Sequence, residues 1–229
     1  IRAISADNPS ALENKLSGVA LIPGAGEFVY ATDVVTQDDE AGTTSPENAH
    51  NASGETDLKA SLDELEGLAP NLGAVSLVVG WFGDDLRAAN IHIKPGVESA
   101  VKATYPESWS VDGVARGAAH LISQIDGRPA YGGTPSDESV VQAIAELKAR
   151  GWRVLFYPFV FMDIASGNTL PNPYTDNAAG TGQPAYPWRG RITVSPASGF
   201  VASVDKTATA ATQVSAFFGS ASTSDFSVR

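Results

Sequence analysis

Three carboxylates follow apolar runs of the sequence, at positions where α/β proteins often place catalytic groups. Asp84 and Asp85 come directly after the apolar run 74–82, and Asp163 ends the run that begins at Val154. In parallel α/β folds the carboxyl ends of the strands carry the chemistry. Two carboxyl groups support retaining glycoside hydrolysis at a separation of about 5 Å and inverting hydrolysis at about 6.5–9.5 Å. Asp84, Asp85 and Asp163 are therefore the candidate catalytic residues.

A structural role for the same three carboxylates stays open. Most strands of α/β proteins carry no catalytic residue, so Asp163 could simply be a solvated carboxylate at the end of a core strand. Arg87 could form an ion pair with Asp84 or Asp85, which would give that carboxylate a structural role.

Aromatic residues near these positions are candidates for carbohydrate binding. Trp81 precedes the Asp84–Asp85 pair, and Tyr186 and Trp188 lie in a long segment, 167–191, that is rich in Gly, Pro, Asn and Thr. A loop of this length is usually functional or an interaction surface. Its aromatic rings could stack on sugar rings, or they could anchor the loop to the core.

We expect neither a metal site nor a cofactor. The sequence has no cysteine, and His50 and His92 have no second ligand at metal-binding spacing.

The periodicity of the apolar residues predicts an α/β protein. It predicts strands at 18–22, 74–82 and 154–163 and helices at 58–68, 112–124, 136–150 and 206–218. Thr134 suits the N-cap of the helix 136–150, and Gly151 suits its end. The strand 154–163 is apolar at consecutive positions, which predicts burial on both faces. Alternating strands and helices favour parallel βα units.

Composition excludes some classes of function. The net charge of −11 argues against nucleic-acid binding through phosphates. No apolar run approaches the roughly 20 residues of a membrane helix. Residue 1 is Ile, the only methionine is Met162, and no signal-peptide pattern opens the sequence. We therefore expect a piece of a longer polypeptide.

Four stretches together resemble a known family. They are VSLVVGWFGDDLR at 75–87, GRPAYGGTPSDESVV at 127–141, LKARGWRVLFYPFVFMDI at 147–164 and QPAYPWRGRIT at 183–193. The chain resembles the TIM-barrel-like, glycoside-hydrolase-like domain of the large tail-hub ("megatron") protein of gene transfer agents and related siphophages. The resemblance covers 18–219, which leaves 1–17 as a connector and 220–229 as an unassigned tail.

The resemblance implies a structural protein of the virion, located in the baseplate at the distal tail tip. Its implied partners are other tail-tip proteins, further copies of itself in a trimeric hub, and host cell-wall polysaccharide during attachment or envelope penetration. A cell-wall glycosidase that hydrolyses peptidoglycan or surface polysaccharide is the alternative.

The sequence departs from barrel glycosidases in one respect. Their acid/base and nucleophile carboxylates usually follow the fourth and seventh strands, whereas this chain has three predicted strands. We therefore expect an incomplete TIM-barrel-like arrangement of parallel βα units and no glycosidase activity from this chain alone.

Overall fold

The computed structural model describes residues 8–39, 42–187 and 191–219. The longer elements are β1 (Gly18–Gly24), α2 (Asp57–Leu68), β4 (Ala74–Gly83), α3 (Asp137–Ala149), β13 (Arg153–Met162) and α4 (Ala208–Phe218). The short elements are α1 (Leu12–Lys15), β2 (Thr36–Asp38), β3 (Thr44–Pro46), β5 (Ile93–Lys94), β6 (Gly96–Val97), β7 (Thr104–Tyr105), β8 (Ser110–Val111), β9 (Val114–Ala115), β10 (His120–Leu121), β11 (Gln124–Ile125) and β12 (Arg128–Pro129).

The main sheet has the order β1-β4-β13, and its strands are parallel. β1 pairs with β4 in the register Gly18↔Ala74 and Leu21↔Leu77. The amide of Arg153 donates to the carbonyl of Gly73 at 2.9 Å, and that of Asp163 donates to Gly83 at 2.9 Å. This constant offset means that β13 runs in the same direction as β4. The predicted α/β class is confirmed, with three parallel strands and four α-helices in the described part of the chain.

The remaining pairings are short. β5 pairs with the end of β4 in an antiparallel manner, and small separate sheets join β3-β2-β7, β8-β9, β10-β6 and β11-β12. No sheet closes into a barrel within residues 8–39, 42–187 and 191–219. Among the described helices, none has both the length and the apolar character that crossing a membrane requires.

The chain divides into two compact units. The first unit comprises 8–80, 99–119 and 132–159 of the described residues, and the second comprises Trp81–Glu98, His120–Tyr131 and 160–219. The core of the first unit includes Leu62 of α2, Leu77 of β4 and Leu147 of α3, all fully buried. The core of the second unit includes Leu86, Met162 and Ile164.

A buried ionic network lies in the first unit. Glu27 contacts Lys102 at 2.9 Å and Arg116 at 2.8 Å, and Lys102 also contacts Glu47 at 2.8 Å. Burial alone would raise the pKa of Glu27, but Arg116 and Lys102 outweigh it and hold the pKa below its ordinary value. Glu27 is therefore an ionised structural partner that ties distant loops together.

The prediction that the third strand is buried on both faces is wrong for the first half of that strand, β13. Leu155 is 65% exposed, Phe156 48% and Tyr157 49%. Successive side chains of a strand point to opposite faces, so the exposure of Leu155, Phe156 and Tyr157 means that neither face is fully covered along this half. β13 also lies at the edge of the sheet, with β4 as its one partner strand among the described residues.

Two predicted helix features are also corrected. The N-cap of α3 is Ser136, whose hydroxyl accepts from the amide of Ser139, and not Thr134. The helix begins at Asp137, so Ser136 occupies the capping position; Thr134 is buried two residues earlier, where its carbonyl accepts from Nε1 of Trp109 at 2.7 Å. The predicted helix 112–124 is absent: β8, β9, a 3₁₀ turn at Arg116–Ala118 and β10 occupy this region.

Candidate functional site

Asp163 follows the last residue of β13 and forms the centre of a polar cluster in the second unit. Its side chain is fully buried, and its Oδ2 lies 2.6 Å from Nε2 of His120 and accepts from the amide of Ser123 at 2.9 Å. Burial alone would raise the pKa of Asp163, but the hydrogen bonds from His120 and Ser123 outweigh it and lower the pKa. The carboxylate is therefore ionised, and His120 is the donor.

An aromatic cluster adjoins this pair, with the ring centroid of Phe82 6.4 Å from that of His120. Tyr131 packs against Phe82 and Phe161 with ring centroids 5.8 and 5.4 Å away, and against Tyr186 at 6.4 Å. The hydroxyl of Tyr131 donates to the carbonyl of Met162 at 3.1 Å. Burial, together with the charge of Asp163, raises the pKa of Tyr131 to about 12, so the phenol stays protonated.

Asp85 forms a second polar cluster, in which it is an acceptor. Arg87 donates from Nε at 3.1 Å and from Nη2 at 2.6 Å, and Gln183 donates from Nε2 at 2.7 Å. Burial alone would raise the pKa of Asp85. The hydrogen bonds from Arg87 and Gln183 outweigh burial and hold the pKa below its ordinary value. The ion pair with Arg87 that the sequence left open is confirmed.

Asp84, the neighbour of Asp85, has partners of its own. Its Oδ1 accepts from the amide of His92 at 2.8 Å, and its Oδ2 lies 3.2 Å from Nδ1 of His92 and 3.5 Å from Nζ of Lys94. These contacts fix the segment that leads into β5.

The structure therefore places all three candidate carboxylates in the second unit, each with separate partners. Among the described residues, no hydrogen bond links Asp84, Asp85 and Asp163 to one another. A glycosidase needs a general acid whose pKa is raised. Asp85 and Asp163 have lowered pKa values, which suits structural acceptors.

The carbohydrate-binding candidates have different outcomes. Trp81 and Tyr186 are half-buried, and the ring of Tyr186 packs against Tyr131. Trp188 lies outside the described residues. No group of three or more potential metal-ligating side chains occurs within the described part of the chain.

Sequence reasoning missed three residues of this site: His120, Tyr131 and Gln183. His120 is 43 residues from Asp163, and Gln183 is 98 residues from Asp85. No local spacing connects such distant partners. Gln183 and Tyr131 do lie within the resembling stretches 183–193 and 127–141.

No protein-family model matches the chain, and no curated protein is significantly similar to it.

Proposed function

We propose that this chain is part of a structural protein of a phage or gene-transfer-agent tail tip. It would contribute parallel βα units to a TIM-barrel-like, glycoside-hydrolase-like domain, and it would act in host attachment or envelope penetration without cleaving a glycosidic bond. The proposal takes its family from the four resembling stretches and its lack of activity from the chemistry of the carboxylates.

One observation carries the proposal: residues from each of the four resembling stretches contact one another in the second unit. Gln183, from the last stretch, donates to Asp85 of the first. Tyr131, from the second, donates to Met162 of the third, and the amide of Tyr186 donates to Ile164 at 2.9 Å. These contacts bring residues of all four stretches together, as one shared surface would require.

The state of the carboxylates supports a role without catalysis. Asp85 is the acceptor of a bidentate ion pair, and Asp163 accepts from His120 and Ser123 on the same oxygen. Donating a proton to a leaving group would require a protonated carboxyl, which these contacts oppose.

Electron microscopy of intact particles tests the location. Gold-labelled antibodies raised against this chain should bind at the distal end of the tail, and preincubation with the purified chain should abolish the label. Label found only in host cytoplasm, and never on the tail, would contradict the tail-tip role. Release of soluble sugars from cell walls by the same purified chain would instead favour the glycosidase alternative.

A further inference from the structure

A cavity of about 580 Å³ in the second unit is separate from the carboxylates described above. Its walls are largely apolar and come from Leu86, Tyr174, Pro184, Pro187 and Phe200, and Arg191 is the one charged residue among the described residues that line it. Pockets for small molecules are typically about 300–1,000 Å³ and combine apolar walls with a few polar groups. The cavity thus has the size and the surface chemistry of a small-molecule site.

The walls of the cavity are held in place before any ligand arrives. The hydroxyl of Tyr174 donates to the backbone carbonyl of Arg191, and its ring meets Phe200 edge to face at 6.0 Å. The amide of Leu86 donates to Oε1 of Gln183 at 2.8 Å, and its carbonyl accepts from Thr193 at 2.9 Å. A preformed site avoids part of the ordering cost of binding.

The cavity carries a positive charge on an acidic chain, whose net charge is −11. In the same unit Arg87 and Lys94 contact Asp85 and Asp84, whereas Arg128, Arg191 and Lys206 form no ion pair with any residue that the structure describes. Of these three cations, Arg191 is the one that lines the cavity. A guanidinium offers a planar set of donors that matches a carboxylate or sulfonate.

We propose that this cavity binds a small planar aromatic acid, with its ring between the apolar walls and its anionic group on Arg191. A sugar fits less well, because its many hydroxyls need hydrogen-bonding partners and the Tyr174 hydroxyl is already committed to Arg191. The inference does not depend on the proposed tail-tip role.

The test compares two ligands of the same shape, 2-naphthoate and the neutral 2-naphthamide, by calorimetric titration of the full 229-residue chain. We expect one saturable site that binds the acid about tenfold more tightly than the amide, the size of one charge-assisted contact. Arg191→Gln should abolish the difference in affinity between the acid and the amide, and Phe200→Ala should weaken the binding of both ligands.

Two control variants separate the cavity from the rest of the surface. Phe218→Ala removes an exposed aromatic ring of α4, and Lys206→Gln removes a cation that does not line the cavity; both should leave the affinities unchanged. Circular dichroism checks that each variant is folded. Absence of saturable binding, equal affinity for acid and amide, or an effect of Phe218→Ala as large as that of Phe200→Ala overturns the proposal.

Discussion

A single carboxylate oxygen, Oδ2 of Asp163, accepts hydrogen bonds from two groups of one segment. His120 approaches it at 2.6 Å and the amide of Ser123 at 2.9 Å, so both contacts depend on the charge of that oxygen. Protonation of Asp163 would weaken both together. The residue therefore links the stability of the second unit to acidic pH.

We predict that Asp163 stabilises the fold at neutral pH and loses this effect in acid. Its pKa in the folded chain is below the ordinary value, so the contribution is complete above that ordinary value and disappears as the pH falls through the folded pKa. Asp163→Asn should lower the free energy of unfolding by about 2 kcal/mol at pH 7 and by much less near pH 3. Urea unfolding across this pH range measures both values.

The matched control for this prediction is Asp38→Asn, which removes an exposed carboxylate of β2. Its unfolding curves should follow those of the wild type at every pH. A constant difference between Asp163→Asn and the wild type from pH 7 to pH 3 would mean that the charge of Asp163 has no part in stability.

At the scale of elements, the end of β4 packs closely against the short strand β6. A Cβ atom at Gly96 would lie 2.6 Å from Cδ2 of Phe82 and 3.1 Å from Cγ1 of Ile122. Both of these side chains are only 1% exposed. Glycine at position 96 therefore allows β6 to approach the aromatic cluster.

We predict that Gly96→Ala destabilises the chain by about 1–3 kcal/mol, because the added methyl group overpacks Phe82 and Ile122. Chemical unfolding measures the difference from the wild type. Gly117→Ala is the control, since a Cβ at Gly117 meets no atom within 4 Å. Equal costs for the two variants would show that the close approach at Gly96 is not what matters.

The sequence predicted the long elements well because their signals are local. Apolar runs and helical periodicity located β1, β4, β13, α2, α3 and α4 within a few residues. The N-cap of α3 was placed two residues too early, since Thr134 and Ser136 are both good caps and the helix begins only at Asp137. Exposure of Leu155 was unpredictable, because burial of a strand depends on its neighbours.

The site was predicted in part. The sequence left open an ion pair of Arg87 with Asp84 or Asp85, and the structure forms it with Asp85, two positions before Arg87. The partnership of Asp163 with His120 depends on the folding of the segment between them, and the two residues are 43 positions apart, so the sequence holds no local signal for it.

At the scale of the whole chain, the three carboxylates that follow β4 and β13 decide whether glycoside hydrolysis is expected. Glycoside hydrolysis needs two carboxyl groups at a defined separation, one of them protonated to act as the acid. Asp85 and Asp163 are ionised acceptors in separate hydrogen-bond clusters, and Asp84 is engaged by His92 and Lys94. Asp85 and Asp163 therefore do not supply the protonated carboxyl that glycoside hydrolysis needs.

We therefore predict that the purified chain releases no soluble sugar fragments from peptidoglycan. Mass spectrometry of the supernatant measures the products, with a known muralytic enzyme as the positive control. Any fragments that do appear should persist in Asp84→Asn and Asp163→Asn, because a contaminant would be responsible for them. Their loss in either variant, in a chain that still folds by circular dichroism, would make that carboxylate catalytic and reject the structural role.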